Sequence, residues 1–275
     1  WCQGYSEPGS GSDLASLSTK AEKVEGGYKI NGTKTWTTMA HFADMMFILV
    51  RTNSDCKPQE GISFMLLDMK SPGVTVKPII TLDGSHYINM VYLEDVFIPH
   101  KNLIYEENKG WTVAKYLLGH ERTNNAQVAS SKKALSKIRK IAKLKINGTY
   151  SLSEDKRFID KLANCDLRVQ ALEYDLIKVI SNEIKGISPG VEANMLKIRG
   201  SEIQQEITEL VLEASGYYAN SIQNNIIERG MNEPKVGPSW TSTSAQKYFD
   251  MRKTTIYAGS TEIQKNILAK MVLEL

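Results

Sequence analysis

The sequence has little of what a metal enzyme or a disulfide-stapled protein needs. Its 275 residues include only four histidines, which are scattered and show no H-E-x-x-H or comparable ligand spacing. The three cysteines, Cys2, Cys56 and Cys165, are odd in number, far apart and never arranged as C-x-x-C. These absences argue against a metal site and against a disulfide framework, and they favour free thiols in a reducing compartment.

Charge and hydropathy exclude two further classes of protein. Lys and Arg number 34 against 31 Asp and Glu, so the formal net charge is +3. A charge this small does not by itself indicate a protein that binds nucleic acid. No apolar run reaches the roughly 18 residues that suggest a membrane span, and residues 1–20 lack a signal-peptide pattern. What the chain does have is 41% hydrophobic residues, enough for a substantial core and for two domains.

The first 107 residues are rich in short β-type runs separated by turn residues. These runs are "GYKINGTKTW", "MMFILVRTN", "GISFMLLDM", "GVTVKPI" and "MVYLEDVFIP". A spacing of about ten residues per strand predicts a compact antiparallel β-barrel or sandwich. The pair Asn31-Gly32 predicts a tight hairpin turn between two strands, because both residues tolerate positive φ.

From residue 108 onward, apolar residues recur with the period of helices. The predicted helices span about 111–143, 154–185, 240–254 and 261–274, with one more that follows Pro189 and ends near Gly216. The polar run "SLSED" supplies N-cap residues for the second of them. Long amphipathic helices with short connections predict an antiparallel four-helix bundle. The predicted fold class is therefore α+β, with a β domain over 1–107 and a helical domain over 108–275.

One charged pair, Glu121-Arg122, lies inside the first predicted helix. At about 100° per residue the pair falls along an apolar stripe that includes Trp111 and Leu118. Burying a carboxylate is costly unless it is paired or its pKa shifts. The residues alone leave two interpretations open. The pair lies at the rim of the stripe and bonds neighbouring helices, or the carboxylate faces a pocket as a general base.

Three other stretches differ from ordinary scaffold. The loop "GYSEPGSGSDLASL" (4–17) offers backbone N–H and hydroxyl donors that can bind an anion or the polar edge of a ring cofactor. In "GTKTWTTMAHFAD" (32–44) a tryptophan flanked by threonines could cap an aromatic ligand. In "RKTTIYAGSTEIQKNILAKM" (252–271) a small A-G-S break precedes a helix N-terminus that can receive a phosphate or carbonyl oxygen. Taken singly, an exposed turn and a core tryptophan remain the commoner explanations.

Taken together, in this order and spacing, these stretches resemble the acyl-CoA dehydrogenase family over nearly the whole chain. The segments that carry the resemblance are "SEPGSGSDL", "NGTKTWTT", "LEDVFIP" and "IYAGSTEIQKNI". The resemblance implies a central β domain, a four-helix C-terminal domain, non-covalent FAD, an acyl-CoA substrate and usually a homotetramer. It also implies an electron-transfer flavoprotein as partner, and a location in the cytoplasm or, in a eukaryote, the mitochondrial matrix. Because the family's N-terminal helical domain has no match, we expect a partial chain or a reduced form.

The resemblance assigns cofactor contacts position by position. Ser6 resembles the hydroxyl residue that hydrogen-bonds the flavin pyrimidine edge, and Gly11 and Ser12 lie where the loop meets cofactor and acyl-CoA. Trp36 and Thr38 resemble the pair beside the isoalloxazine, with the Thr38 hydroxyl near flavin N5. In the helical part, Ser260 and Glu262 match positions near the FAD adenosine and pyrophosphate. The implied contacts to a neighbouring subunit's FAD are Gly216, from the partial "GGxG" match in "EASGYYAN", and Arg139, the candidate "RxxFG" arginine.

The resemblance also locates the catalytic groups. In many family members a glutamate follows the tyrosine of the final turn, but this chain has Ala258 there. Some members carry the base on the first C-terminal helix, immediately before an arginine, which makes Glu121 the implied base and Arg122 its supporting arginine. Glu121 would take the α-hydrogen of an acyl thioester as a proton while the β-hydrogen leaves as hydride to the flavin. The backbone N–H of Ala258 would still bond the thioester carbonyl.

Two other functions stay open. The chain could be a flavin oxidase or monooxygenase on the same scaffold, in which oxygen reoxidises the flavin. Alternatively it is a non-catalytic partner subunit of a mixed oligomer, an interpretation that Ala258 suggests because a methyl group cannot remove a proton.

Overall fold

The computed structural model describes residues 1–124, 126–145, 151–187, 190–221, 223 and 234–274, with the backbone alone for 119–124. The chain forms two compact units, Trp1–Leu118 and Gly119–Leu275. The first is built on a β-sheet and the second on helices, so the predicted α+β class is confirmed. The functional domains predicted over 1–107 and 108–275 stay a prediction.

The first unit contains an eight-stranded sheet. Its strands are β1 (Cys2–Gly4), β2 (Lys20–Val24), β3 (Gly27–Thr38), β4 (Met45–Arg51), β5 (Ile62–Asp68), β6 (Val74–Ile80), β7 (His86–Pro99) and β8 (Leu103–Ile104). The order is β6-β7-β3-β2-β4-β5-β8, with β1 beside β4. Neighbours pair antiparallel, except that β4 pairs parallel with β1 and β2. The end strands β6 and β8 do not pair, so the sheet is open and the closed-barrel alternative is wrong.

The central strand β4 is buried on both of its faces, which explains its continuous apolar run. Ile48 and Val50 join a cluster of fully buried side chains from β3 and β7. Leu49, which points to the opposite side, packs in a second cluster with Ile62 and with Ala114 of the following helix. Apolar side chains on both sides of one strand therefore hold the first unit together.

The predicted hairpin at Asn31-Gly32 is wrong. β3 continues through both residues, and the hairpin turn falls at Glu25-Gly26. Asn31 lies beside a bulge in β7, where its amide group exchanges two hydrogen bonds with Asp95. Gly32 packs so closely against Thr19 that an added Cβ would lie 2.5 Å from Oγ1. The glycine is thus required by a close approach within the sheet rather than by a turn.

The described helices are α1 (Gly110–Asn124), α2 (Val128–Ala142), α3 (Lys156–Ile184), α4 (Glu192–Ser215), α5 (Ser244–Met251) and α6 (Thr261–Val272). The single helix predicted over 111–143 is therefore two, because Gln127 takes a left-handed φ of 50° and α2 begins at the next residue. Asp155 of the predicted cap run caps α3 by accepting hydrogen bonds from Arg157 N and Phe158 N. Pro189 lies outside the described residues.

α4 is the centre of the second unit. Its buried residues Leu196, Ile203, Ile207, Leu210 and Ala214 pack with apolar side chains of α2 and α3. On the same helix, Arg199 is exposed and pairs with Glu202 at 3.5 Å. The helices α5 and α6 also pack on α4. Over the described ranges, no helix combines the length and the apolar content needed to span a bilayer.

Candidate functional site

A buried ion pair fixes the S-E-P-G-S-G-S loop to β3. The Lys34 ammonium donates to Glu7 Oε1 at 2.7 Å and to the Tyr5 carbonyl at 3.2 Å. The Lys34 and Glu7 side chains are 0% and 4% exposed. The carboxylate also accepts the backbone N–H groups of Ser18 and Thr19, at 2.6 and 3.0 Å. One carboxylate therefore connects the start of the loop, its end and the neighbouring strand.

The pKa values of this pair reflect burial and mutual attraction. Burial raises the pKa of Glu7, but the charge of Lys34 and hydrogen bonds from Lys34, Thr19 and Ser18 together lower it to about 2. Burial lowers the pKa of Lys34 to about 8, because it outweighs the attraction of Glu7. Breaking such a pair would leave a buried charge uncompensated, so the pair favours a single position of the loop.

Arg51 holds the far end of the same loop. Its guanidinium donates to the carbonyl groups of Ala15 and Leu17 at 2.6 and 3.0 Å. Between the ion pair and this clamp, Gly11 and Ser12 are exposed. The loop is thus anchored at both ends while its glycine- and serine-rich centre faces outward, as a ligand-binding loop requires.

β3 carries a bulge at Thr35 and Trp36. Its register with β7 shifts between Lys34 and Thr37, and within the bulge Thr35 N donates to the Ser6 carbonyl at 2.8 Å. Trp36 has a φ of 58°, which is rare for a bulky residue. The residue is nevertheless 60% exposed. A strained backbone that presents a large aromatic ring to the outside is typical of a ligand-binding position.

Asn89, fully buried on β7, fixes the backbone at the end of the bulge. Its Nδ2 donates to the Thr37 carbonyl at 3.0 Å, which sets the orientation of the amide because a carbonyl only accepts. Nδ2 also lies 3.1 Å from His41 Nδ1, and Oδ1 lies 2.8 Å from His86 Nε2. Thr38, the next residue on β3, is exposed. No sequence pattern predicts this network, since His41 and Asn89 are 48 residues apart.

In the second unit, Ala258 and Gly259 form a left-handed turn before α6, with φ values of 53° and 81°. A left-handed alanine costs roughly 1–2 kcal/mol. Gln264 Nε2 holds the turn by donating to the carbonyls of Ala258 and Gly259, at 3.2 and 3.4 Å. Ser260 caps α6 by accepting the Ile263 N–H at 3.3 Å. The turn therefore presents backbone N–H groups at a helix N-terminus.

The other predicted cofactor residues of the second unit lie on separate elements. Glu262 is exposed in the first turn of α6, where its own backbone N–H and the Ser260 side chain lower its pKa. Arg139 of α2 pairs with Asp166 of α3 at 2.6 Å. Gly216 ends α4 with a φ of 52°. Within this unit only Ser260 and Glu262 are brought together with Ala258, so the roles predicted for Arg139 and Gly216 stay predictions.

Glu121 and Arg122 belong to α1 by their backbone, but their side chains lie outside the described residues. Their predicted roles as base and supporting arginine therefore stay predictions. The same holds for the flavin and substrate contacts predicted at the positions described above.

Two family models match the chain. The acyl-CoA dehydrogenase middle domain matches residues 2–96, and the acyl-CoA dehydrogenase C-terminal domain matches residues 108–273. The chain therefore belongs to the acyl-CoA dehydrogenase family, and the resemblance drawn from its sequence is confirmed.

Named relatives agree with this assignment. Acyl-CoA dehydrogenase IpdE1 of Mycobacterium tuberculosis is 31% identical over 280 residues, covering all of this chain and 66% of that protein. Acyl-CoA dehydrogenase FadE34 of the same organism is 33% identical over 215 residues, covering 78% of this chain and 29% of that protein. The chain thus spans 66% or less of these two relatives.

A solved structure is similar over the whole chain. In the ChsE4-ChsE5 complex from Mycobacterium tuberculosis, a chain 28% identical in sequence matches with a TM-score of 0.84. The match covers 100% of this chain and 68% of that one. This similarity supports the same order of a sheet unit followed by a helical unit.

Proposed function

We propose that this chain forms part of an FAD-dependent acyl-CoA dehydrogenase. The reaction is α,β-dehydrogenation of an acyl-CoA thioester to the trans-2-enoyl-CoA, with electrons passed to an electron-transfer flavoprotein. The observation that carries the proposal is the β3 bulge, where an exposed Trp36 at positive φ follows Thr35, whose backbone N–H donates to the Ser6 carbonyl of the anchored loop. Membership of the acyl-CoA dehydrogenase family supports it.

FAD fits the residues that the chain offers. In the first unit the flavin ring would be held by an exposed aromatic ring together with hydroxyl and N–H donors. These groups belong to Ser6, Gly11, Ser12, Trp36 and Thr38. In the second unit Ser260 and Glu262 would contact the adenosine and pyrophosphate, and Gly216 and Arg139 are the candidate contacts to the FAD of a neighbouring subunit. Bound FAD would supply the acceptor for the β-hydrogen of the substrate, which leaves as hydride.

Removal of the α-proton is the step that the chain itself must perform. A proton next to a thioester carbonyl is weakly acidic, so the base must be oriented and shielded from water. We assign this base to Glu121, with Arg122 supporting the site. The backbone N–H of Ala258 donates to the thioester oxygen, where negative charge develops. Alanine keeps this donor although it lacks a carboxylate, so the turn still serves half of an oxyanion site.

Anaerobic titration of the FAD-loaded full-length protein with a panel of acyl-CoAs tests the proposed reaction. At least one acyl-CoA should bleach the flavin absorbance, and an electron-transfer flavoprotein should restore it. Rapid peroxide formation under air would instead indicate the oxidase alternative. The absence of bleaching with every acyl-CoA, although the ligands bind, would contradict the dehydrogenase proposal.

A second candidate function is that of a non-catalytic subunit in a mixed oligomer. Ala258 favours it, and so does the similarity to a chain in a complex of two named proteins. Co-expression with a second acyl-CoA dehydrogenase chain would then yield activity that neither chain has alone.

Under the leading proposal the protein is a homotetramer or a dimer. It acts in fatty acid metabolism, in the cytoplasm or the mitochondrial matrix.

A further inference from the structure

Lys197 of α4 is a buried cation in the core of the second unit. The residue is 0% exposed, and its Nζ has no hydrogen-bond partner among the residues that the structure describes. Burial lowers the pKa of Lys197, and the charge of Glu262 acts in the opposite direction. Placing an ammonium inside a core is costly unless something compensates it. Packing alone therefore does not account for a lysine at this position.

The direction in which Lys197 faces follows from two residues on the same side of α4. Gln205 Nε2 donates to the Arg252 carbonyl at 3.1 Å, and Ser201 Oγ donates to the Thr254 carbonyl at 2.9 Å. Residues four apart lie one above the other on a helix. Lys197 is one turn before Ser201, so it lies on the side of α4 that faces the segment between Thr254 and the start of α6 at Thr261.

Two further polar atoms on the buried side of α6 lack partners. Thr261 Oγ1 and Gln264 Oε1 are buried, and neither forms a hydrogen bond within the described part of the chain. α6 packs on α4, the helix that carries Lys197. A buried donor on one helix and buried acceptors on the helix packed against it, with no direct hydrogen bond between them, imply a polar contact through one ordered water.

We propose that Lys197 is a positioning residue for the left-handed turn at Ala258 and Gly259. Its ammonium orients Gln264 through one ordered water at Oε1, and Gln264 Nε2 in turn holds the two carbonyls of the turn. The charge also favours negative charge near the turn, where the Ala258 N–H donates to the thioester oxygen. This effect on the thioester oxygen rests on the proposed function, whereas the positioning of the turn by Lys197 through Gln264 does not.

The first test is Lys197→Met in the FAD-free full-length protein, because methionine keeps a similar length without charge or donors. Lys265→Met, at an exposed position of α6, is the matched control. We expect backbone ¹⁵N order parameters at Ala258 and Gly259 to fall from about 0.85 to below about 0.6 in Lys197→Met only. Gln264→Leu should have the same effect, and the double variant should add nothing. Unchanged order parameters in Lys197→Met would overturn the proposal.

Lys197→Gln and kinetic measurements complete the test. Glutamine keeps a donor without charge, so the turn should stay rigid in Lys197→Gln. If Lys197→Met does not fold, unchanged order parameters in Gln264→Leu, or a mobile turn in Lys197→Gln, would overturn the proposal instead. In the FAD-loaded protein, Lys197→Met should lower kcat at least tenfold with KM nearly unchanged, because the charge acts on the transition state. If the turn is mobile in Lys197→Met but no acyl-CoA reduces the parent protein, the structural role of Lys197 is upheld and the proposed function is refuted.

Discussion

The Lys34 ammonium lies 2.7 Å from Glu7 Oε1, and the ion pair they form is enclosed within the first unit. It joins the two segments to which the family resemblance assigns the flavin. Glu7 follows Ser6 in the loop, and Lys34 precedes the bulge that carries Trp36. The residues expected to touch the cofactor, the half-buried Ser6 and the exposed Trp36, thus lie next to buried anchors, an arrangement that preorganises a site.

Removing the anchoring carboxylate should destabilise the first unit. We expect Glu7→Gln to lower the free energy of unfolding by about 3–5 kcal/mol, because it leaves the Lys34 ammonium buried without a counter-charge. FAD affinity should fall as well, since the loop loses its fixed position. Urea denaturation monitored by circular dichroism measures the first effect, and fluorescence titration with FAD measures the second.

Glu22→Gln is the matched control for this substitution. It breaks the pair with Lys20, whose two side chains are 64% and 52% exposed, and it should leave the urea midpoint unchanged. Equal losses in the two variants would show that the buried pair has no special role.

Acid should weaken the first unit through the same carboxyl group. The pKa of Glu7 is lowered from 4.5 to about 2, so between these values the unfolded chain binds a proton and the folded chain does not. Its contribution is fully present above pH 4.5 and is lost as the pH falls towards 2. Urea midpoints measured from pH 6 to pH 2 should show this loss, and Glu7→Gln should reduce it. A loss of equal size in the variant would assign it to other carboxylates.

The ring of Trp36 should matter for cofactor affinity rather than for stability. Trp36 and Met39 both have positive φ and exposed side chains, so glycine at either position relieves a strain of roughly 1–2 kcal/mol. Part of this gain is offset by the greater freedom of glycine in the unfolded chain. Trp36→Gly should lower FAD affinity at least tenfold, whereas Met39→Gly should not. Equal FAD dissociation constants for both variants would contradict the assignment of Trp36 to the flavin.

Periodicity and cap residues predicted most of the secondary structure. The change from β-type runs to helical periodicity is local information, and so is the capping of α3 by Asp155. The prediction failed at Asn31-Gly32, where the geometry depends on Asp95 and Thr19 in other strands. It also failed at Gln127, whose left-handed φ has no local residue signal. At Asn31-Gly32, therefore, contacts distant in sequence override local propensity.

The residues of the candidate site were predicted from the family resemblance, but the buried residues that hold them in place were not. Lys34 lies in a polar stretch of β3 that predicts exposure, and its burial depends on Glu7, 27 residues away. Asn89 likewise gains its role only when β7 pairs with β3. Residues that would touch a ligand are visible as motifs, whereas the groups that hold them become apparent only in the folded chain.

Glu121 as the base is the central assignment. The direct measurement is the rate of anaerobic flavin reduction by acyl-CoA in the full-length Glu121→Gln variant loaded with FAD. FAD affinity should be unchanged, and reduction should be slower by at least about 10²–10⁴-fold. Adding Ala258→Glu returns a carboxylate to the final turn and should restore part of the rate. Flavin reduction at the parent rate in Glu121→Gln would contradict the account.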